Sequence, residues 1–507
     1  MTKTTQEKIN RVLWNAADTF RGKIDSSTYK DYILVMLFVK YISDVHREKL
    51  DVYTKRYEGN DERIRRAMSR ERFVLDEEST FDYLYSERTN PEIGVIINKA
   101  LGSIEDNNAT KLRGVFRNID FNSEAVLGAT RERNTMLRNV LEDFNELDLR
   151  PSQLEDEDII GNSYQYMIEQ FASDAGKKGG EFFTPPMVSE LLARLVQPQV
   201  NDRIYDPTCG SGSLLIRVVD KVEERKVAIY GQERNGQTHS LAKMNMFLNG
   251  IDDASIEWGD TISNPLHLDD EGNLMKFQRI VANPPFSLAK WAEGFAGEGE
   301  EKFRMSADLD PYRRFDWGVA PASRGDMAFV QHMLASLSED GTMATILPHG
   351  VLFRGAAEKR IREEFIKLNY LHAVIGLPEA LFYGTGIPAC ILVFKKNRTD
   401  KNVLFIDASG EDYYEKGSNR NYLREEDIER IYETYQNYET VDKYSYVATF
   451  EEIEENDFNL NIPRYVDTFA EEEPVDMEQV AENIKDIQAE LREVEGQMDK
   501  YLKELGL

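Results

Sequence analysis

The chain has 507 residues and a formal charge of −29, with a pI near 4.8. So acidic a chain is not expected to coat nucleic acid by itself, and its 41% hydrophobic and 30% charged residues are typical of a folded globular protein and not of a disordered one. The length predicts about three folding units.

Residues that bind metal or form disulfides are scarce. There are two cysteines, Cys209 and Cys390, and six scattered histidines, without a CxxC or HxxxH pair. We therefore expect no metal site and a reducing compartment. The longest apolar run near the N-terminus, residues 32–39, is far shorter than the ~20 residues of a membrane span, and the first residues lack the apolar core of a signal peptide. These features favour a cytoplasmic protein without membrane contact.

Residues 1–150 are predicted to form a helical domain. Apolar residues recur every three or four positions, as at Ile9, Leu13 and Phe20. Residues 26–28, Ser-Ser-Thr, are predicted to cap the helix that carries residues 32–45, which we interpret as the core helix of this domain. An acidic, proline-containing stretch at residues 150–158 then marks a boundary.

Residues 151–470 alternate short β-rich runs with helical segments. This alternation predicts a doubly wound α/β sheet with parallel strands and helices on both faces. The predicted strands are residues 203–206, 227–232, 255–259, 279–282, 341–347, 371–376 and 389–395. Because ligands of such sheets bind at the carboxyl ends of the strands, the turns that follow them are the expected site.

The first predicted strand ends in Asp206-Pro207-Thr208-Cys209-Gly210-Ser211-Gly212-Ser213-Leu214-Leu215. The two glycines allow a tight turn and a close approach of the backbone to a ligand. A dinucleotide site would want a third glycine at position 215, which is leucine, so a nicotinamide cofactor is disfavoured. Taken alone, the motif could also be a structural strand-to-helix turn.

The next two strands each end in an acidic residue. Glu233 is placed to accept hydrogen bonds from both ribose hydroxyls of a nucleoside, and Asp260 could accept from an exocyclic adenine amine. Acidic residues at strand ends are common. Three such turns in order at one edge of a sheet nevertheless indicate a pocket for an adenosine-containing cofactor.

The fourth strand is followed by Asn283-Pro284-Pro285-Phe286. Two consecutive prolines end the strand and stiffen the backbone in an extended shape. The side-chain oxygen of Asn283 and the carbonyl of Pro284 could then accept both hydrogens of a planar amine and free its lone pair towards an electrophile, while Phe286 stacks on the ring. A turn that merely ends a strand is the alternative.

Upstream lies Glu181-Phe182-Phe183-Thr184-Pro185-Pro186. Its aromatic residues could lie against a cofactor, and Thr184 is predicted to cap the helix over residues 187–195. Core aromatics ahead of a capped helix are the alternative.

Residues 287–325 form a long insertion after Asn283-Pro284-Pro285-Phe286. Glycines at positions 294, 297 and 299 lie beside acidic residues, and Arg304, Arg313 and Arg314 follow. We interpret the insertion as a mobile lid that orders over the substrate or cofactor, with a disordered loop as the alternative.

Residues 471–507 are predicted to form a coiled-coil-like helix for subunit pairing. From Val480 to Leu505 the apolar residues alternate spacings of three and four over about four heptads. Residues 451–507 carry eighteen acidic and five basic residues. A helix that folds back on its own domain is the alternative.

These motifs together closely resemble the modification (M) subunit of type I restriction-modification systems, an S-adenosylmethionine-dependent DNA adenine-N6 methyltransferase. The resemblance rests on Phe-Thr-Pro-Pro, on the ten residues from Asp206 to Leu215 and on Asn-Pro-Pro-Phe, and it covers nearly the whole chain. It implies a class I methyltransferase domain in which Asn283, Pro284, Pro285 and Phe286 hold the target base. The implied binding residues for S-adenosyl-L-methionine are Glu181, Phe182, Phe183, Thr184, Pro185, Pro186, Asp206, Thr208, Gly210, Ser211, Gly212, Ser213, Glu233 and Asp260.

The resemblance also implies partners: double-stranded DNA, a specificity (S) subunit with two M subunits for each S, and a restriction (R) subunit in the full complex. About 80 residues separate the last predicted strand from the tail, which is too few for a DNA target-recognition domain. We therefore expect the S subunit to choose the DNA sequence and to supply most phosphate contacts, because the acidic chain binds DNA poorly alone. A methyltransferase for a protein glutamine or an RNA base, or a silent structural subunit, are the alternatives.

Overall fold

The computed structural model describes residues 3–156, 158–174, 183–293, 295, 306–383, 386–418, 420–468 and 477–506. Met1–Val466 form one compact unit and Asp467–Leu507 form a second. Glu181 and Phe182, both predicted to bind a cofactor, lie outside the described residues, as do Arg304 and the three glycines of the insertion.

The first part of the chain is helical, as predicted. Its helices are α1 (Gln6–Phe20), α2 (Ser26–Arg56), α3 (Asp61–Met68), α4 (Phe81–Ser86), α5 (Ile93–Asn107), α6 (Ala109–Leu112), α7 (Glu124–Leu127) and α8 (Thr130–Asn145). Helix α2 is the centre of this region, and its residues 33–39 are all buried. The predicted cap at Ser26 is wrong. The helix already begins there, and the carbonyl of Asp25 accepts the first amide hydrogen bonds, from Thr28 and Tyr29.

After residue 150, helices and strands alternate. The helices are α9 (Ile159–Asp174), α10 (Pro186–Val196), α11 (Ser213–Val219), α12 (Gly236–Leu248), α13 (Asp326–Ser336), α14 (Ala356–Lys367), α15 (Glu425–Asn437), α16 (Phe450–Glu455) and α17 (Met477–Glu504). The strands are β1 (Arg203–Asp206), β2 (Ala228–Glu233), β3 (Ser255–Trp258), β4 (Phe277–Ala282), β5 (Leu337–Pro348), β6 (Leu371–Gly376), β7 (Ala389–Lys395), β8 (Val403–Asp407), β9 (Glu415–Lys416), β10 (Asn421–Tyr422) and β11 (Ser445–Ala448).

Nine of these strands form one sheet, in the order β11-β8-β6-β7-β5-β4-β1-β2-β3. The predicted α/β class is confirmed. Strands β1 to β6 and β8 share one direction, whereas β7 and β11 are antiparallel to their neighbours, so the prediction of a parallel sheet is wrong for these two. The reason is local. No helix lies between β6 and β7 in the described part of their connection, and a parallel pairing needs such a crossover.

The sheet also extends beyond the last predicted strand. The last predicted strand ends near Lys396. In the structure β8 and β11 follow this strand in the chain and occupy one end of the sheet. The residues between β7 and the tail therefore form the last strands of the sheet and helix α15. Helix α15 packs against the sheet and against α10.

The side chains of the strands alternate between two apolar layers, one on each face of the sheet. Ile204 of β1 lies in the layer that includes α10 and α11, and the next residue, Tyr205, lies in the layer that includes α13 and α14. This is the period of two that a strand buried on both faces requires. Among the described residues, no helix is long and apolar enough to cross a membrane.

The second unit contains the predicted helix of the tail, α17. Its apolar stripe is exposed, with Ile487 63% and Leu491 56% accessible. The predicted helix is therefore confirmed, and its pairing stays a prediction.

Candidate active site

The turn after β1 depends on glycine. Gly210 and Gly212 have φ angles of 54° and 77°, in the left-handed region that residues with a Cβ rarely adopt. The amide of Gly212 closes the turn on the carbonyl of Cys209 at 2.8 Å. Helix α11 then starts at Ser213, whose hydroxyl lies 2.9 Å from that of Ser211. The motif therefore brings backbone amides and hydroxyls to the carboxyl edge of the sheet.

Asp206 is a buried carboxyl group at the start of this turn. It accepts a hydrogen bond from the amide of Thr208 at 2.9 Å and is only 2% exposed. Burial raises the pKa of Asp206 to about 8; the Thr208 bond opposes this shift and the charge of Glu233 adds to it. No cationic side chain pairs with Asp206 in the described part of the chain. A ligand that brings a positive charge would satisfy this carboxylate.

Glu233, at the end of β2, is fixed by two backbone amides. Its Oε2 accepts from Gly210 at 3.1 Å and its Oε1 accepts from Asn235 at 2.7 Å. Burial raises the pKa of Glu233, and these bonds partly offset the rise. The carboxylate is thus held against the first turn with lone pairs still available for a ligand's hydroxyls.

One carboxylate oxygen of Asp260, which follows β3, accepts hydrogen bonds from nearby backbone amides. Its Oδ1 accepts from the amides of Ile262 at 2.9 Å and Ser263 at 3.0 Å, which fixes the turn. Its Oδ2 lies 3.3 Å from Nη1 of Arg234. A cofactor amine at this position would therefore share Oδ2 with Arg234.

A cavity of about 360 Å³ joins these turns to the predicted catalytic motif, which is residues 283–286. Five predicted site residues line it, namely Thr208, Glu233, Asp260, Asn283 and Pro285. The lining that the sequence analysis missed is mostly apolar and consists of Pro207, Arg234, Asn235, Thr261, Ile262, Leu288, Trp291 and Phe329. Leu288 and Trp291 belong to the insertion, whose interpretation from the sequence was based on glycines and arginines and not on apolar residues.

The amide of Asn283 is oriented by Thr184. Nδ2 of Asn283 donates to Oγ1 of Thr184 at 3.1 Å, which leaves the side-chain oxygen as the free acceptor. The prediction that Thr184 caps the next helix is wrong. Helix α10 begins at Pro186 with Pro185 at its cap and no side-chain hydrogen bond, because a proline at the first position needs no partner for its nitrogen.

The rest of the catalytic motif is held by aromatic residues. Pro284 is buried, and Phe286 is half-buried with its ring edge-on to Phe382 at a centroid distance of 5.8 Å. Phe183, also buried, lies 6.0 Å from the ring of Tyr383. Phe382 and Tyr383 belong to the connection between β6 and β7, and no sequence motif marked them.

A second cavity, of about 210 Å³, lies beside Thr184. It is lined by the predicted residues Phe183, Pro186 and Ser213, but also by α1 and α9. The lining residues from these helices are Gln6, Asn162, Gln165, Tyr166 and Glu169. Helix α1 of the helical region and helix α9 therefore contribute directly to the neighbourhood of the site, which helical periodicity could not reveal.

Part of the insertion is a fixed element of the core. Arg314 is fully buried and ion-paired with Asp310 at 2.8 Å, and it donates to the carbonyls of Thr261 at 3.3 Å and Ile262 at 2.7 Å. The lid interpretation is therefore wrong for Arg314, which supports the cavity wall from behind. Arg313 is exposed.

A larger cleft, of about 1150 Å³, lies at the opposite edge of the sheet, beside Arg203 and Lys276. None of the predicted site residues lines it. Since ligands of these sheets bind at the carboxyl ends of the strands, we assign the site to the smaller cavity.

Comparison with known proteins finds two family matches and several similar chains. Residues 155–474 match the N-6 DNA Methylase family, and residues 9–144 match the HsdM N-terminal domain. A type I restriction enzyme methylase subunit of Mycoplasma pneumoniae is 31% identical, with 97% of each chain covered. Another such subunit, from Methanocaldococcus jannaschii, is 32% identical over 99% of this chain and 86% of its own.

A solved structure is also similar over nearly its full length. The type I restriction-modification system methyltransferase subunit from Streptococcus thermophilus superposes with a TM-score of 0.78 and 34% identity. The match covers 92% of this chain and all of the other.

Proposed function

The chain belongs to the N-6 DNA methylase family and is a modification subunit of the type I restriction-modification kind, and from this premise we propose that it transfers the methyl group of S-adenosylmethionine to N6 of an adenine in DNA. The proposal rests above all on one observation. The amide of Asn283 is turned by Thr184 so that its oxygen is the free acceptor, in the wall of the cavity that also contains Glu233 and Asp260.

The residues present fit S-adenosylmethionine. The buried carboxyl of Asp206, without a cationic partner among the described side chains, suits a positively charged ligand, and the Glu233 carboxylate suits ribose hydroxyls. The apolar wall with Ile262 and Trp291 suits a planar base. When bound, S-adenosylmethionine supplies a methyl group activated by a positively charged sulfur.

The chain's own contribution is positioning. An adenine inside a duplex cannot reach this cavity, so it is flipped out of the helix at a cost of a few kcal/mol. The oxygens of Asn283 and Pro284 accept the two N6 hydrogens, and Phe286 stacks on the ring. Holding two reactants in line in this way is worth roughly 7–11 kcal/mol of the barrier.

The partners follow from the same family membership. We propose that a specificity subunit chooses the DNA sequence, that two copies of this chain bind each specificity subunit through α17 and the helical region, and that a restriction subunit completes the complex in the cytoplasm. The exposed apolar stripe of α17 supports this assignment, because such a stripe is buried against another helix in stable assemblies. Residues 1–150, 151–470 and 471–507 would then be the helical, catalytic and pairing regions.

Variants of the catalytic motif test the chemistry. In the complex with its specificity subunit, Asn283→Ala and Phe286→Ala are expected to abolish transfer of labelled methyl groups to DNA, while calorimetry still detects S-adenosylmethionine binding. Asn437→Ala, which removes an exposed amide at the end of α15, is the matched control.

Three results would contradict the proposal. Unchanged turnover of either variant would remove the assigned roles. Methylation of a glutamine peptide or RNA in preference to DNA would replace the substrate. No cofactor binding by the unaltered chain would make it a structural subunit.

A further inference from the structure

The residue directly after the catalytic motif has an uncommon backbone conformation. Ser287 has a φ of 52°, in the left-handed region that residues with a Cβ adopt only at a cost. It follows Phe286 without a spacer. The direction in which the chain leaves the catalytic motif is therefore set by a strained residue, and strain of this kind persists only where the surroundings impose it.

The carboxylate of Asp326 is hydrogen-bonded to Ser287. Its Oδ1 accepts from the amide of Ser287 at 2.7 Å, and its Oδ2 accepts from the Ser287 hydroxyl at 3.4 Å. Asp326 is only 1% exposed, and thirty-nine positions separate the two residues in the chain. Hydrogen bonds to a buried carboxylate are among the stronger ones in proteins.

Asp326 is itself supported from behind. Nη1 of Arg354 lies 3.4 Å from its Oδ2 and 3.5 Å from Oε1 of Glu358, so one guanidinium is shared by two buried carboxyl groups. Asp326 is also the first residue of α13, where an acidic side chain could simply stabilise the helix. Its oxygens, however, bond to Ser287, and the N-terminus of α13 has no side-chain hydrogen bond at its cap.

The same region ties the motif to the cavity wall. The amide of Gly325 donates to the carbonyl of Leu288 at 2.9 Å, and a Cβ on Gly325 would lie 2.8 Å from Cβ of Trp291. Leu288 and Trp291 line the cavity, as does Phe329 of α13. The start of α13 thus contacts both the end of the catalytic motif and the wall beside it.

We propose that Asp326 is a positioning residue for methyl transfer. By holding Ser287 in the left-handed conformation, it fixes the orientation of Pro285 and Phe286 and therefore the geometry in which the base is presented. The inference rests on the proposed function, since its readout is methyl transfer. Asp326 is buried and does not line the cavity, so its effect is expected in turnover and not in cofactor affinity.

The test uses the complex of the full chain with its specificity subunit and DNA. Asp326→Ala is expected to lower kcat by about 10²-fold, the loss that a misplacement of about 1 Å causes, with the calorimetric Kd for S-adenosylmethionine within about threefold of the unaltered value. Fluorescence of 2-aminopurine at the target position is expected to show altered stacking of the flipped base. Asp316→Ala, which removes an exposed carboxylate from the insertion that precedes α13, is the matched control and keeps full activity.

A double-mutant cycle distinguishes a positioning role of Asp326 from a purely structural one. The cycle does not use Asp326→Ala, so it can be measured even if that variant folds poorly. Asp326→Asn is measured alone and with Ser287→Gly. Because glycine adopts a positive φ without penalty, the loss caused by Asp326→Asn is expected to be about tenfold smaller in the Ser287→Gly background. A purely structural role in α13 predicts equal losses in both backgrounds.

Equal losses in both backgrounds would overturn the inference, as would an unchanged kcat in a folded Asp326→Ala variant, which has neither acceptor oxygen. A parallel loss of cofactor binding and kcat in Asp326→Ala would do the same. These outcomes differ from a failure of the proposed function, in which the unaltered complex itself transfers no methyl group to DNA.

Discussion

At the scale of single residues, the catalytic motif depends on a contact that no local pattern contains. The sequence predicted the Asn283 oxygen as an acceptor but assigned Thr184 to a helix cap. In the structure the two side chains, 99 positions apart, are hydrogen-bonded. Which face of an amide is free is decided by its partner, and a partner so distant in the chain follows only from the fold.

Replacement of the Thr184 hydroxyl tests this contact. Thr184→Val keeps the shape but leaves Nδ2 of Asn283 without an acceptor, so the amide is no longer held with its oxygen free. We expect kcat to fall by about tenfold, the factor that corresponds to the ~1–2 kcal/mol of one lost hydrogen bond to a partly buried group. Turnover at saturating cofactor and DNA is the measurement. Thr184→Ser keeps the hydroxyl and should stay near the unaltered rate, and a Ser variant as slow as Val would count against the contact.

The raised pKa of Asp206 predicts a pH dependence of cofactor affinity. With a pKa of about 8 in the free protein, the carboxyl is mostly protonated near pH 6, whereas a cationic ligand favours the carboxylate. The affinity for S-adenosylmethionine should therefore rise from about pH 6 to about pH 8, by up to tenfold per pH unit, and level off above. The same linkage makes the cofactor-free protein lose stability as pH rises from 3.8 towards 8.

Calorimetry across this pH range provides the measurement. Asp206→Asn should bind more weakly at high pH and lose most of the rise, and its remaining slope reports the ligand's own amine. Methylthioadenosine, which lacks both positive groups, should show no rise. An equal slope in the Asn variant would show that another group is responsible.

At the scale of elements, the sequence predicted the bounds of strands that show a local apolar pattern. It did not predict strand direction, which depends on how the strands are connected. Strands β1, β6 and β7 were predicted with their observed bounds. The direction of β7 was predicted wrongly because alternation of strands and helices was extended over a connection whose described residues contain no helix. Strand β11 is four residues long and lies at the end of the sheet, where short runs carry little signal.

The flanks of the apolar stripe of α17 predict which helices it can pair with. In heptads with Ile484 and Leu491 at position a, the flanking e and g positions include Glu490 and Glu495 and no basic residue. Two parallel copies would place Glu490 against Glu495 of the other copy, which is repulsive. The pattern disfavours self-pairing and favours a partner helix with basic flanks.

A single charge reversal tests this pattern. Glu495→Lys turns the repulsive pair into an attractive one, so we expect the isolated chain to self-associate at lower concentration in sedimentation experiments. The effect should weaken in high salt. Glu493→Lys makes the same charge change at an outer position and is the control. Equal self-association of both variants would mean that only net charge matters.

At the scale of the whole molecule, the sequence motifs predicted the position of the candidate site better than the residues that surround it. Five predicted residues line one cavity, because the turns at one edge of a sheet must meet. The apolar wall at Leu288 and Trp291 and the contributions of α1 and α9 were not predicted, since apolar and helical residues look alike whether or not they face a site.

The net charge of −29 predicts the behaviour of the chain towards DNA. Isolated, it should bind S-adenosylmethionine but bind duplex DNA only weakly near physiological salt, because few phosphate contacts offset the repulsion. Addition of the specificity subunit should raise the affinity by orders of magnitude and introduce a steep salt dependence. Fluorescence anisotropy over a salt series measures both, and tight, salt-sensitive binding by the chain alone would contradict the prediction.

The antiparallel direction of β7 affects how easily the connections around the candidate site can change in length. Because β7 runs against β5 and β6, the connection at residues 377–388 returns to the catalytic edge and brings Phe382 to Phe286. A connection between antiparallel neighbours can lengthen or shorten at little cost in chain entropy. Under the proposed function this connection borders the target base, so the surroundings of the base should tolerate insertions and deletions more readily than the turns after β1, β2 and β3.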